Sequence, residues 1–435
     1  MITMKNLAII IMFIACLSCK KEEEAIYDST GISTKLPHVW NTAISDDEKQ
    51  LASTVLRCPI LFENDEVLVG AVKNKGLFIY AVNPENGKVD WEWNDLLTYL
   101  LTPNELQPLS INADDFYQKD NLLFFMYSTS SYIIDLKTGL TVSKYKVPLS
   151  RIGGRVTGID NYFFNVGCDY YKTENEKLYI GSFNPTQKEE NLLLPSYTPI
   201  IKSTLPERAN TVGAINNIIT FKEGNQDYII FTIRNPISPD SPSGTNGVIE
   251  LNLYNLTKKD WVYQKMPVRT SGKSIGGFDL IYKDKQIYFM SSDYVYCHNA
   301  QTGDEKWATL IGSAPLTSRM TLQNNRLYAA CEDRFLYCLD INTGQVLWKE
   351  QNTGMCSPIS YLNGVLYYLG GGDGKLHAVD ANTGKHLWKL NSPDVTKNLG
   401  AFFYGVCATV PGKNGQKGRV IGTTGLNAYC FEAIR

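Results

Sequence analysis

The chain has few of the residue patterns that hold metals or redox cofactors. Its 435 residues include only four histidines, at positions 38, 298, 377 and 386, which share no spacing. Ten cysteines are present, yet beyond Cys19 no two are adjacent and none form a C-x-x-C motif. Zinc centres, redox-active disulfides and attached haem depend on such motifs. The sequence therefore predicts no metal site.

The chain also lacks a strong net charge and a long apolar run. Its 42 Lys and Arg residues nearly balance 44 Asp and Glu residues, which gives a formal net charge of −2. Without a basic surface, nucleic acid and anionic lipid are not expected as main partners. The apolar run at 7–18 follows Lys5 and is too short to span a bilayer. It has the form of a secretory signal.

The end of that run predicts attachment of a lipid. Ser18 is a small residue directly before Cys19, as at the processing site of a bacterial lipoprotein. We expect a signal peptide at 1–18, lipidated Cys19 with a charged linker at 19–37, and one folded domain at 38–435. Cleavage before Cys16 and a signal without lipid are the alternatives, because Cys16 stands where such sites usually have Leu.

The charged run KKEEE at 20–24 bears on the location of the anchored protein. Lys20 is compatible with sorting to the outer membrane, and the run resembles signals that bring some lipoproteins to the cell surface. A solvated tether is the alternative interpretation. We expect a lipid-anchored outer-membrane protein, with the cell surface favoured over the periplasmic face.

Three segments of nearly the same pattern dominate the C-terminal half. They are VYCHNAQTGDEKW at 295–307, LYCLDINTGQVLW at 336–348 and LHAVDANTGKHLW at 376–388. A period of about 40 residues indicates stacked supersecondary units. The positions that repeat are Trp307, Trp348 and Trp388, Gly303, Gly344 and Gly384, and Asp340 and Asp380.

Each repeat predicts four short antiparallel strands. Apolar and polar residues alternate with a period of two, which favours strands over helices. The Asp can accept hydrogen bonds from amides two or three residues ahead, and the Gly supplies the positive φ of a turn followed by a bulge. The Trp offers a large apolar surface to the neighbouring sheet. Four-stranded units at this period predict an all-β fold, a β-propeller.

Earlier units are less regular. Residues 79–91 keep Gly87 and Trp91, and weaker copies occupy 132–139, 152–195 and 212–264, where the last includes Trp261. The final unit, 405–432, offers only three strands, whereas residues 38–44 with Trp40 resemble an isolated fourth strand. We therefore predict eight blades, closed by pairing of the N-terminal strand with the last blade. Seven blades are the alternative, because the region 150–260 is poorly marked.

Six of the eight cysteines after Cys19 recur at repeat positions. Cys297, Cys338 and Cys430 occupy one third-strand position, and Cys58, Cys356 and Cys407 share the start of a first strand. Recurrence at positions that suit small residues predicts buried packing. A disulfide between neighbouring blades is the alternative in an oxidising compartment.

The pattern LY-x-LD-x-x-TG-x-x-x-W resembles the PQQ-like repeat family. That family includes quinoprotein dehydrogenases and the BamB-type lipoprotein scaffolds of the outer-membrane barrel-assembly machinery. The resemblance is specific over 295–390, fair at 79–91 and 405–432, and faint from 150 to 260. Quinoprotein dehydrogenases carry adjacent cysteines against the quinone and a haem motif, and this chain has neither. We therefore expect no PQQ, no other cofactor and no catalytic residues.

Two glycine motifs carry little weight as nucleotide sites. Gly272-Lys273-Ser274 ends like a P-loop, but Pro267 stands where the first Gly is required. The run at 370–374, GGGDG, joins two predicted strands and is interpreted as a turn rather than a phosphate cradle.

The predicted topology places long insertions on one face. The segments 94–113, 169–177, 234–247 and 391–403 all fall between strands two and three or between units. Long loops on a rigid scaffold commonly bind partners. The predicted tether enters at the opposite face, which would leave the insertions directed away from the membrane. The candidate binding residues are the aromatic side chains of these segments, Tyr99, Tyr170, Tyr171, Phe402, Phe403 and Tyr404.

Three functions are compatible with this sequence, since one fold hosts many activities. The first is a non-catalytic scaffold that binds an outer-membrane or other envelope protein, as the BamB-type resemblance implies. The second is a surface lipoprotein that binds extracellular glycans, which the KKEEE run and the aromatic loops favour. The third is an atypical enzyme on the PQQ-like fold.

Overall fold

The computed structural model describes residues 26–29, 31–46, 60–61, 66–73, 76–95, 116–127, 130–146, 152–159, 162–168, 178–184, 189–192, 200–201, 211–212, 214–236, 247–268, 280–291, 293–312, 318–397 and 401–435. All regular secondary structure in these ranges is β-strand. The same ranges contain no helix long and apolar enough to cross a membrane. The predicted all-β class is confirmed.

The strands of the N-terminal half follow the predicted units. They are Ile26–Tyr27 (β1), Ser33–Lys35 (β2), Trp40–Ala43 (β3), Ile60–Leu61 (β4), Val67–Lys73 (β5), Gly76–Val82 (β6), Val89–Trp93 (β7), Phe116–Lys119 (β8), Leu122–Tyr127 (β9), Ser130–Asp135 (β10), Thr141–Lys146 (β11), Ile152–Ile159 (β12), Tyr162–Cys168 (β13), Leu178–Asn184 (β14), Glu189–Leu192 (β15), Ile200–Ile201 (β16) and Thr211–Val212 (β17).

The strands of the C-terminal half are longer and more regular. They are Ala214–Glu223 (β18), Gln226–Pro236 (β19), Gly247–Asn255 (β20), Asp260–Val268 (β21), Leu280–Lys283 (β22), Gln286–Ser291 (β23), Tyr294–Asn299 (β24), Glu305–Leu310 (β25), Thr321–Gln323 (β26), Arg326–Ala330 (β27), Phe335–Asp340 (β28), Val346–Gln351 (β29), Ser360–Leu362 (β30), Val365–Leu369 (β31), Leu376–Asp380 (β32), His386–Leu390 (β33), Tyr404–Val410 (β34), Arg419–Thr423 (β35) and Asn427–Glu432 (β36).

Four-stranded antiparallel sheets are the building unit. Seven sheets have four strands each and are named here by their spans, 60–93, 116–146, 152–192, 214–268, 280–310, 321–351 and 404–432. The 404–432 sheet takes its fourth strand, β3, from the N-terminal part of the chain. A further sheet, 360–390, joins the antiparallel strands β30 to β33 and adds β2 and β1 at its outer edge. The small ribbon β16–β17 lies outside these units. The fold is a β-propeller of four-stranded blades.

The turn between third and fourth strands forms as the sequence predicts. Asp340 Oδ1 accepts hydrogen bonds from the amides of Asn342 (2.8 Å) and Thr343 (3.0 Å). Gly344 follows with a φ of +73°, and the register shifts in the strand after it, where Val346 pairs with Leu339 and Trp348 pairs with Cys338. The equivalent turn at Asp380 and Gly384 repeats this geometry. The predicted turn and bulge are confirmed at both positions.

Tryptophans dock each sheet onto the next. The Nε1 of Trp307 donates to Ile341 O (3.0 Å) in the following sheet, and that of Trp348 donates to Ala381 O (3.2 Å). The Trp307 ring lies so close to Gly344 that an added Cβ would approach its Cε3 to 2.6 Å. The same pairs recur as Trp40 with Gly87, Trp91 with Gly139, and Trp348 with Gly384. Each turn glycine therefore provides both a left-handed φ and the space for an indole.

The recurring cysteines lie opposite these tryptophans. Cys297, Cys338 and Cys430 pair across neighbouring strands with Trp307, Trp348 and Trp40. All three thiols are free and buried. In the 60–93 and 360–390 sheets an alanine takes the same place opposite the Trp. The position needs a small side chain because the indole occupies the space beside it, so the predicted packing role is confirmed for these three.

Part of the predicted linker 19–37 is built into the propeller. Strand β2 pairs in parallel with β33 through Ser33 and Trp388, and Thr34 O accepts a hydrogen bond from Asn391 N (2.9 Å). Leu36 then packs against the core between the 360–390 and 404–432 sheets. Strands of two and three residues are too short to show a period of two, so the sequence pattern does not reveal them.

Candidate functional site

Strand connectivity divides the propeller into two faces. The turns between second and third strands lie on the same side as the links from one sheet to the next. This side is named the loop face, and the side with the remaining turns is named the plain face. The ends of β7, β13, β19 and β33 all begin loop-face connections. They match the predicted insertions 94–113, 169–177, 234–247 and 391–403.

The aromatic triplet at 402–404 is split between surface and core. Phe402 is 48% exposed and Tyr404 is 39% exposed, whereas Phe403 is only 3% exposed. Phe403 packs against Phe431, with ring centroids 6.3 Å apart, and belongs to the core. Phe403 therefore points to the core while Phe402 and Tyr404 point outward, because alternate residues at the start of β34 point to opposite sides. Tyr99, Tyr170 and Tyr171 lie outside the described residues.

The glycine run at 370–374 supports this triplet. Gly370 N donates to Lys375 O (2.9 Å) and Gly374, with a φ of +64°, donates to Gly370 O (2.7 Å). Gly374 O accepts a hydrogen bond from Phe403 N (2.9 Å), and the Phe402 ring rests on the space that a Cβ of Gly374 would need. The run forms the tight turn that its sequence predicts, and it positions the aromatic residues.

A small open cavity lies beside Tyr404. Its volume is about 180 Å³, which is less than the several hundred Å³ of pockets that hold whole cofactors or drug-sized ligands. The cavity therefore fits one side chain of a partner better than a large ligand. Its lining is mostly apolar and consists of Met355, Ser357, Pro358, Leu369, Gly370, Gly371, Phe403, Tyr404 and Gly405.

Met355 completes the exposed apolar surface at the cavity. Its side chain is 58% exposed, and its backbone abuts Gly371, where a Cβ would clash with it. Its amide donates to Glu332 Oε2 (3.0 Å), which fixes the segment. Sequence inspection did not single out Met355, because a lone methionine between two strands carries no pattern. Together, Met355, Phe402 and Tyr404 form what is named here the apolar patch.

A buried polar cluster stiffens the turn beneath the patch. His377 Nε2 lies 3.1 Å from both carboxylate oxygens of Asp373, and its ring stacks on Tyr368 at 4.9 Å. Burial would raise the pKa of Asp373, but the hydrogen bond and charge of His377 bring it below its usual value. His386 lies 5.4 Å from His377, and burial, together with Lys389 and His377, lowers the pKa of His386 to about 4.

The preceding sheet uses the same device with a different partner. Asp333 Oδ2 accepts a 2.5 Å hydrogen bond from Tyr337, and its Oδ1 accepts one from Phe335 N (3.1 Å). Since Asp333 and Asp373 occupy equivalent turns, a hydrogen bond between the Asp and a ring side chain four residues later is a repeated way of holding this turn. Among the described residues no group of three or more His, Cys, Asp and Glu side chains could hold a metal ion.

The link from β33 to β34 is fixed at its middle. Asp394 accepts hydrogen bonds from Asn427 Nδ2 (2.8 Å) and the Thr424 hydroxyl (3.3 Å), and its amide donates to Ser392 Oγ (3.1 Å). Asp394 is buried by these contacts, while the next residue, Val395, is 57% exposed. The segment 391–397 is therefore a rigid part of the loop face rather than a free loop.

Comparisons with known proteins agree with the fold. Residues 264–402 match the family described as outer membrane protein assembly factor BamB. A europium-containing methanol dehydrogenase superposes with a TM-score of 0.61 at 11% identity, over 91% of this chain and 93% of that one. Sqt1 of Saccharomyces cerevisiae superposes with a TM-score of 0.53 at 11% identity, over 92% of this chain and 97% of that one. BamB of Moraxella catarrhalis superposes with a TM-score of 0.44 at 12% identity, over 72% of this chain and 79% of that one.

No curated protein matches this chain in sequence. At these identities the similar structures show the architecture alone, because proteins as different as Sqt1 and a methanol dehydrogenase share it. The family match lies on the three most regular repeats, where the Asp, Gly and Trp positions have the roles described above. The chain is therefore a β-propeller in which residues 264–402 carry the signature of the PQQ-like repeat family.

Proposed function

We propose that this chain is a lipid-anchored, non-catalytic scaffold of the outer membrane that binds another envelope protein. The match of residues 264–402 to the assembly factor BamB supports a role of this class. Anchoring through Cys19 is supported by the signal-like run before it. The charged sequence KKEEE at 20–24 favours the outer side of that membrane. The proposed function needs no cofactor, and we assign no catalytic residue.

The observation that carries the proposal is the apolar patch at the small cavity. Phe402, Tyr404 and Met355 are each more than a third exposed, although they stand on segments fixed by hydrogen bonds. Rigid exposed aromatic residues around a recess that fits one side chain are typical of the centre of a protein interface. Such a surface loses little conformational entropy when a partner binds.

We also propose that the ring has eight blades and closes between the 404–432 and 60–93 sheets. The 360–390 sheet would be the blade before the last, with β1 and β2 as an addition to it. Support comes from Trp40, whose Nε1 donates to Pro84 O (2.8 Å) and whose ring packs on Gly87. Buried residues of both sheets share one core cluster. Closure would leave the patch on a ring without a free end.

Capture of a glycan by the aromatic patch is the second candidate. Phe402 and Tyr404 lie with ring centroids 6.4 Å apart and nearly perpendicular, at 83°. An exposed tyrosine can stack on a sugar ring, but the perpendicular pair offers no flat platform for two successive sugars. The geometry therefore favours a protein partner.

The test compares patch variants in a capture experiment. Affinity-tagged full-length chain is cross-linked in cells, the envelope is solubilised, and captured proteins are quantified by mass spectrometry. Because hot-spot truncations cost 2 kcal/mol or more, F402S/Y404S is expected to reduce capture of a specific partner by about tenfold or more. The matched control is L140S/V142S, which changes two exposed apolar residues (68% and 56%) elsewhere. Equal loss in both variants, or in neither, would overturn the proposal.

A further inference from the structure

The first described strands show on which face the chain enters the propeller. Strand β2 runs parallel to β33, which ends where the 391–397 segment of the loop face begins. Lys35 therefore lies toward the loop face relative to Ser33. Strand β1 is antiparallel to β2, and Ile26 pairs with Lys35. At Ile26 the chain thus lies at the loop-face end of the outer edge.

This direction is opposite to the expectation from sequence. The sequence prediction brought the tether in at the start of β3, on the plain face, because β1 and β2 were not foreseen. A chain that continues backward from Ile26 in the direction of β1 leaves the propeller beyond the loop face. To reach the plain face it would first have to pass the length of β33, roughly 15 Å for five residues.

The number of residues before Ile26 limits the distance to a lipid. Cys19 precedes Ile26 by seven positions in the sequence, and seven residues span at most about 25 Å. A fatty acyl group on Cys19 must be buried in the bilayer. The edge of the sheet at Ile26 therefore lies within about 25 Å of the membrane surface. More than half of that length would be used merely to reach the plain face.

The segment beside this exit is suited to a lipid surface. Asn391 is bonded to Thr34 of β2, so the 391–397 segment directly adjoins the entering chain. Within it Val395 is 57% exposed and the Lys397 side chain is 49% exposed. An apolar side chain beside a lysine matches the interface between acyl chains and headgroups. Asp394 is buried, is bonded to Asn427 and lies 3.7 Å from Lys397 Nζ, so it pairs with Lys397 from below without being exposed itself.

We propose that the 391–397 segment rests on the membrane surface, so that the loop face is turned toward the bilayer and the plain face away from it. This inference rests on the proposed lipid anchor at Cys19. Its partner is the lipid headgroup layer, and it is separate from the apolar patch, which lies farther along the link at 402–404. The contact supplies the second attachment that a lipid-modified protein needs for a fixed orientation.

The test measures the distance of each face from lipid headgroups. A fluorescent amino acid replaces Val395 on the loop face or, as the matched control, Leu140 at a plain-face turn. Both residues are exposed apolar ones (57% and 68%), so neither replacement disturbs the core. The lipidated full-length protein is reconstituted in vesicles of phosphatidylethanolamine and phosphatidylglycerol that carry a rhodamine headgroup acceptor. Energy transfer from position 395 is expected to exceed that from position 140 at least twofold.

Separate readouts distinguish the two levels of the proposal. Flotation of the wild-type chain with vesicles, and its loss in C19S, reports on the anchor. If the wild type does not float, the proposed anchor is wrong and the orientation falls with it. If it floats but transfer from position 140 equals or exceeds that from position 395, only the orientation is overturned.

Discussion

Single residues of the turn between third and fourth strands have two tasks at once. Gly344 adopts a φ of +73° and also leaves room for the Trp307 ring of the preceding sheet. The first task was predictable from the motif, because a turn followed by a bulge needs a left-handed residue. The second was not, since the sequence does not show which indole faces which glycine.

The double role of Gly344 can be separated by a matched pair of variants. Gly344→Ala is expected to lower the free energy of unfolding by about 3 kcal/mol, from backbone strain plus displacement of Trp307. Gly415→Ala has a similar φ of +77° but nothing within 4 Å of the new Cβ, so about 1 kcal/mol is expected. Urea denaturation measures the free energy of unfolding of both variants. Equal losses would show that the indole contact is irrelevant.

The buried thiols make a second residue-scale prediction. Burial raises the pKa of Cys297 to about 11 and that of Cys338 and Cys407 to about 12. Because the thiolate is the reactive form, these groups should resist maleimide at pH 8 in the folded protein and react fully in urea. Peptide mapping by mass spectrometry gives the extent of maleimide labelling at each cysteine. Rapid native labelling of any of the three would contradict the packing described here.

At the scale of elements, regular strands were predictable and irregular additions were not. The four strands of the 321–351 sheet follow their apolar alternation and turn residues within a few positions. Strands β1 and β2 have no such signal, because parallel addition to an outer edge through one residue pair needs no alternation. The split of Phe402 and Phe403 was missed for a related reason, since the start of β34 fixes which of them points inward.

The N-terminal strand β3 provides a prediction for this scale. Trp40 is 7% exposed, pairs with Cys430 and donates a hydrogen bond to Pro84 O. Trp40→Ala is expected to cost about 3–5 kcal/mol of stability, as is typical of removing a buried indole. Trp40→Phe keeps an aromatic ring and loses the hydrogen bond, so a cost of about 1–2 kcal/mol is expected. Calorimetry that ranks the two variants equally would argue against a role of the indole in joining the sheets.

At the scale of the whole molecule, stability should depend on pH through a histidine that the fold keeps neutral. The pKa of His386 is lowered to about 4 by burial, then by Lys389 and His377, whereas an unfolded histidine titrates near 6.5. Between these values the unfolded chain binds a proton that the folded one does not. Stability is therefore unaffected above about pH 6.5 and falls as the pH drops toward 4, by up to about 3 kcal/mol.

The contribution of His386 can be isolated with His386→Gln. This variant should lose less stability than the wild type between pH 6.5 and pH 4, in urea denaturation at constant ionic strength. Asp373 has an effect of the same sign at lower pH, since its pKa is lowered and its stabilising contribution is lost only at more acidic pH. Parallel curves for wild type and variant over that range would contradict the assignment to His386.

The pairing of β3 with β36 also sets the order in which the molecule can be completed. Trp40 leaves the ribosome long before its partner Cys430, because the other sheets lie between them in the sequence. Until Cys430 is made, β3 waits without its sheet, and β34 and β35 expose an open edge. Pairings between the ends of a chain form slowly and leave such edges available to other chains. During folding this protein is therefore most vulnerable to misassembly before β36 has paired with β3.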